Sequence, residues 1–112
     1  MEMNREIDIA RNVKTIEWLR TEIVSYTAGL FKAMWQNREE LILDSLAGLI
    51  MAAYLLGKRL GIKSSRLESK VETKLKASIV EGHEIEKWYG DMTNLLDYWH
   101  DRRGEIIDRG EE

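Results

Sequence analysis

Residues 41–56 read LILDSLAGLIMAAYLL, a sixteen-residue apolar run broken only by Asp44, Ser45 and Gly48. As a helix, Leu41, Ile42, Leu43, Leu46, Leu49, Ile50, Met51, Tyr54, Leu55 and Leu56 put apolar side chains on nearly every side. A helix that is apolar all round must be covered all round. One further long helix and a short C-terminal segment cannot do that in 112 residues, so a second copy of the chain is expected to pack against it. A bilayer is not the expected cover, because sixteen helical residues span only about 24 Å, short of a hydrocarbon core of about 30 Å.

Upstream, Trp35-Gln36-Asn37-Arg38 is a short link. Asn37 is a natural N-cap, and Glu39 and Glu40 fall in the first turn, where the helix dipole favours acids. The apolar helix is therefore predicted from about Arg38 to Leu60. Before the link, Ile9, Ile16, Ile23 and Leu30 recur every seven residues, with Val13, Leu19 and Tyr26 on the same side. That spacing predicts a first helix from about Glu6 to Met34. A link this short makes the two helices antiparallel neighbours.

Downstream, Lys58 to Ser64 is a basic helix end and turn in which Gly61 supplies a left-handed cap. Ser65-Arg66-Leu67-Glu68 has capping-box spacing and opens a third helix with an apolar stripe of Leu67, Val71, Leu75 and Ile79. Ile85, Trp88, Met92, Leu95 and Trp99 continue a helical pattern past Gly90-Asp91, where a break with Asp91 as a new N-cap is expected. Residues 67–100 thus form two or three helices. Trp18 and Trp35 stand off the main stripe of the first helix and are expected to line a groove or subunit contact.

Composition bounds the rest. With no proline and no cysteine, the chain has neither the usual helix breaker nor the means for disulfides or thiolate metal sites. The expected organisation is a single all-α domain over 1–112: a core at about 6–80, C-terminal helices at about 83–102, and a frayed tail at 103–112. Met1 to Asp8 does not read as a signal peptide, so a cytoplasmic location is expected. The net charge of −3 is unevenly spread: −2 over residues 1–57, +5 over 58–76 and −6 over 77–112. The acidic tail argues against a general nucleic-acid binder. Asp97, His100 and Asp101 share a helix face, but that spacing is common by chance. No catalytic triad, glycine-rich phosphate loop or zinc pattern is present.

Taken together, several segments resemble the MazG nucleotide pyrophosphohydrolases. These are Trp18-Leu19-Arg20-Thr21-Glu22-Ile23, the link with Arg38-Glu39-Glu40, the apolar helix, and its end at Leu55-Leu56-Gly57-Lys58-Arg59-Leu60-Gly61-Ile62. The likeness covers roughly residues 14–80. Glu81-Gly82-His83-Glu84-Ile85-Glu86-Lys87-Trp88-Tyr89-Gly90-Asp91 also resembles a signature of short MazG-like proteins. The resemblance implies an antiparallel all-α bundle and a magnesium-dependent hydrolysis of nucleoside triphosphate to monophosphate and pyrophosphate. In that family one helix carries Glu-x-x-Glu and the next Glu-x-x-Asp. Carboxylates three residues apart share a helix face, so two such pairs converge on one cation site.

Carried over residue by residue, Glu22 matches the first ligand, whereas Ser25, Ser45 and Gly48 stand at the other three positions. Asp44, beside the third position, is the candidate displaced ligand and catalytic group, and Glu40 lies one turn earlier. Lys74 falls where the resemblance implies a phosphate-contacting lysine, with Arg59 as a supplement and Lys63, Arg66 and Lys70 near it in sequence. Two functions are therefore expected as alternatives. One is a pyrophosphohydrolase with a degenerate magnesium site at Glu22 and Asp44. The other is a non-catalytic helical protein that binds a nucleotide or a protein partner.

Overall fold

The structure, a computed structural model, describes residues 2–108, with side chains from residue 3 to residue 104. It consists of five helices: α1 (Glu2–Trp35), α2 (Glu39–Arg59), α3 (Ser64–Glu81), α4 (Glu84–Tyr89) and α5 (Asp91–Asp108). No strand occurs among the described residues. The all-α class expected from the periodicity is what is found. The fold divides after Ser64 into two compact units, α1–α2 and α3–α5.

In the first unit α1 and α2 form an antiparallel hairpin. The 34 residues of α1 span roughly 50 Å and the 21 of α2 roughly 30 Å. Asn12 Nδ2 donates to the Arg59 carbonyl at 3.2 Å, which places the end of α2 near Asn12. The start of α1 therefore runs on past α2, and Ile9 and Val13, expected in the stripe, are exposed. Between the helices lies a tight seam. Leu19 and Ala33 of α1 are buried, as are the small residues Ser45, Gly48 and Ala52 of α2. Elsewhere on α2, Ile42, Leu49, Tyr54 and Leu56 are half-buried, and Leu43, Leu46, Ile50, Met51 and Leu55 are exposed.

The link between these helices differs from expectation. Asn37 is not the N-cap; it adopts a left-handed φ of 54°, and Arg38 takes the capping position without a side-chain hydrogen bond. Asparagine tolerates that region better than most residues, so it turns the chain. Glu39 and Glu40 do occupy the first turn. At the other end, Gly61 (φ 83°) closes α2 as predicted. Its N–H reaches the Lys58 carbonyl at 3.1 Å and the Ile62 N–H reaches the Gly57 carbonyl at 2.8 Å, the paired bonds of a Schellman cap.

The apolar run of sixteen residues is shorter than the helix it belongs to, and at 21 residues α2 is long and apolar enough to cross a membrane by length and composition alone. Core helices of soluble proteins pass that test too. Length therefore does not exclude a bilayer.

In the second unit α3 starts at Ser64 rather than at the predicted cap, and buries Leu75. The chain breaks at Gly82 (φ 69°) and again at Gly90 (φ 68°), so residues 64–108 form three helices. Asp91 is not the N-cap of α5 but its first residue. The capping is done by Glu86, whose carboxylate accepts from the Thr93 N–H at 3.1 Å and from the Thr93 hydroxyl. Trp99 Nε1 donates to the Glu68 carbonyl at 3.1 Å, joining α5 to α3. The helix also persists to Asp108, through residues 103–108 that were expected to fray. Arg103 Nη1 is tied to the Glu72 carboxylate at 3.4 Å, which holds this part of α5 down. The remainder of the expected tail, residues 109–112, lies outside the described residues.

Candidate functional site

The predicted ligand positions fall along the α1–α2 seam. Its register follows from two contacts. The Tyr26 ring lies over Gly48, and Ser45 Oγ sits opposite Gly29. Stepping along both helices puts Glu22 level with Ala52, and Asp44 level with Leu30. The two carboxylate-bearing residues are thus separated by roughly 12 Å along the helix axes.

Their surroundings differ as well. Glu22 is half-buried on the flank of the seam, whereas Ser25, Glu40 and Asp44 are exposed. Although Asp44 lies in a largely apolar helix, the hairpin leaves it exposed to solvent. Among the described residues no three His, Asp or Glu side chains lie close enough together to hold a metal ion.

The second ligand pair is where the seam is tightest. Ser45 and Gly48 are both buried. A Cβ on Gly48 would lie 2.4 Å from Tyr26 Cε1 and 2.5 Å from Cζ, far inside contact distance. The space a side chain at position 48 needs is already filled by a tyrosine ring. Magnesium needs a near-octahedral set of oxygens, which one half-buried carboxylate and one serine hydroxyl do not supply. The residues present do not fit the family's cation.

The candidate phosphate-binding residues are on different units. Arg59 lines a shallow, open groove of about 680 Å³ at the end of the hairpin, together with Arg5, Asp8 and Asn12. Lys74 is an exposed residue of α3, in line with Arg66 and Lys70 at four-residue intervals. Trp18 and Trp35, expected at a groove or contact, are 52% and 89% exposed.

Other polar groups acquire roles that were not foreseen. His83 caps α4, its Nδ1 accepting from the Ile85 N–H at 3.2 Å. His100 does not join Asp97 and Asp101 but pairs with Glu72 of α3, which also meets Arg103 and, at 3.8 Å, Lys76. The Thr93 hydroxyl bond holds the Glu86 carboxyl below the usual carboxylate value against an opposing desolvation, with smaller help from the Thr93 and Met92 N–H groups. Only the Glu72–Lys76 spacing and the His83 cap on Ile85 are local in sequence. The other pairings join different helices or depend on a turn between them.

Searches of curated proteins and of solved structures returned no match. A model of the MazG-like family matches residues 9–92, three-quarters of the chain, spanning the hairpin from Ile9 onwards, α3, α4 and the start of α5. By that match, the chain belongs to the MazG-like family.

Proposed function

We propose that this chain is a homologue of nucleotide pyrophosphohydrolases with a degenerate metal centre, and that it acts as a self-associating helical binding protein rather than a hydrolase. The observation that carries this reading is the closed α1–α2 seam. Where two facing carboxylate pairs would be needed, it offers Glu22, Ser25, Ser45 and Gly48, with Asp44 turned away. Catalysis of triphosphate hydrolysis depends on charge stabilisation by bound cations, and fold alone does not transfer it.

Self-association is supported by the outer face of α2. Leu43, Leu46 and Ile50 lie at intervals of three and four, on the side of the helix away from Ser45 and Ala52, and all three are exposed. An apolar stripe of that kind marks an interaction surface. A second copy suits it better than a bilayer. The uncharged part of α2, residues 45–57, spans roughly 20 Å, about two-thirds of a hydrocarbon core. For a nucleotide ligand, the guanidinium groups of Arg5 and Arg59 around one groove offer phosphate contacts.

The competing reading is a reduced, magnesium-dependent pyrophosphohydrolase in a cytoplasmic setting, and family membership favours it. One experiment separates them. The purified protein is incubated with magnesium and each nucleoside triphosphate, and pyrophosphate release is followed alongside thermal unfolding. The binding-protein reading expects no metal-dependent release with any of them. Turnover that needs magnesium and is lost in Glu22→Ala and Asp44→Ala would establish the hydrolase instead.

A further inference from the structure

We infer that Tyr26 is a plug: its ring closes the α1–α2 seam over Gly48, so that this chain binds no divalent cation where its relatives' carboxylates would converge. The inference rests on the degenerate-site reading above and gives it a structural cause.

The seam has the features of a packed contact rather than of a ligand site. Its buried members are Leu19, Ala33, Ser45, Gly48 and Ala52, and the only side-chain polar atom among them is the Ser45 hydroxyl. That hydroxyl stands opposite Gly29, 3.5 Å from where a Cβ would be, an ordinary van der Waals distance. No buried side-chain nitrogen or oxygen among the described residues is left without a partner, so no orphaned group awaits a cation. The ring of Tyr26, half-buried, lies over the bare backbone at Gly48, where three of its carbons come within 2.6 Å of the position a Cβ would take. Glycine and tyrosine are matched: the absent side chain makes the ring's seat, and the ring occupies the volume a ligand side chain at 48 would need. Proteins fill such volumes at close to crystal density, so ring and carboxylate cannot share the space.

The small residues also bring the helices together. Gly29 and Ala33 on α1, with Ser45, Gly48 and Ala52 on α2, place glycine or a short side chain at five positions of the seam. A hydrated cation between these helices would have to push them apart. The loss of carboxylates and the closing of the gap are therefore one structural change, and restoring a single acid would not reopen the site.

The test uses the full chain and two measurements. Free manganese is titrated by electron paramagnetic resonance in the presence of the protein, and no saturable binding is expected up to millimolar cation. One-to-one binding that Glu22→Gln abolishes would overturn the inference. Separately, Gly48→Ala, Tyr26→Ala and the double variant are compared by thermal unfolding. Gly48→Ala is expected to lower the midpoint by several degrees, because the ring must leave its seat. In the Tyr26→Ala background the same change is expected to cost nothing further, since the space is already open. A Gly48→Ala protein as stable as the wild type, or full additivity of the two changes, would show that the ring does not sit there. Turnover that survives Glu22→Gln, by a protein that binds no manganese and whose cycle behaves as expected, would refute the proposed function while leaving the plug intact. Failure of the cycle without turnover would do the reverse.

Discussion

Replacing Ile50 by glutamate should break self-association without unfolding the hairpin. Ile50 retains 62% of its surface in the single chain and lies outside the α1–α2 seam. Fully burying an isoleucine side chain is worth about 1.5–3 kcal/mol, so the exposed portion represents about 1–2 kcal/mol per copy. In a two-fold assembly each copy contributes its own Ile50, giving about 2–4 kcal/mol in all. At about 1.4 kcal/mol per tenfold change, the dissociation constant should rise by roughly 30- to 700-fold from lost burial alone. Glutamate adds the cost of a desolvated charge, so this range is a lower bound. Sedimentation velocity over a concentration series measures the shift, and far-UV circular dichroism checks that the helices persist. Leu43→Glu, at a site 60% exposed on the same stripe, should behave alike. If both variants sediment as the wild type does across the series, with unchanged helix content, α2's outer face is not the contact and the reasoning fails. If the wild type is monomeric but partitions onto lipid vesicles, the cover is a bilayer and not a second copy.

Other consequences concern the fold itself. Leu19, 1% exposed and the largest side chain in the seam to be fully buried, should lose about 3–5 kcal/mol on truncation to alanine, read from urea unfolding curves. A loss under about 1 kcal/mol would mean the seam is not packed as described. Gly90, held at φ 68°, should cost about 1–2 kcal/mol when changed to alanine, whereas Gly104, in α5 with open space about its Cβ position, should gain up to about 1 kcal/mol from the same change. Equal effects at the two sites would contradict the left-handed break between α4 and α5. The Glu86 carboxyl is held below its usual value of 4.5, so the capping stability is complete above that pH and disappears as pH falls through the lowered value. Glu86→Gln should flatten this acid-side loss in α5, followed by the Thr93 amide resonance; an unchanged acid profile would remove Glu86 from that role.

Sequence alone determined the helical class, because the 3.6-residue periodicity of Ile9 to Leu30 and the largely apolar run at 41–56 are local properties of the chain. It also located the left-handed cap at Gly61 and a break at Gly90, since only local backbone conformation is at stake there. It named Glu22 and Asp44 as the carboxylates to watch but could not say whether they met. A helix apolar on every side carries no internal indication of which side faces its neighbour. Tertiary structure settled that by close packing: Ser45, Gly48 and Ala52 turned inwards because small side chains let two backbones approach, with Tyr26 on Gly48 setting the register. That rotation turned Asp44, Leu43, Leu46 and Ile50 outwards. The pairings of Glu72 with His100 and Arg103 likewise depend on the approach of α3 and α5, which no spacing within either helix specifies.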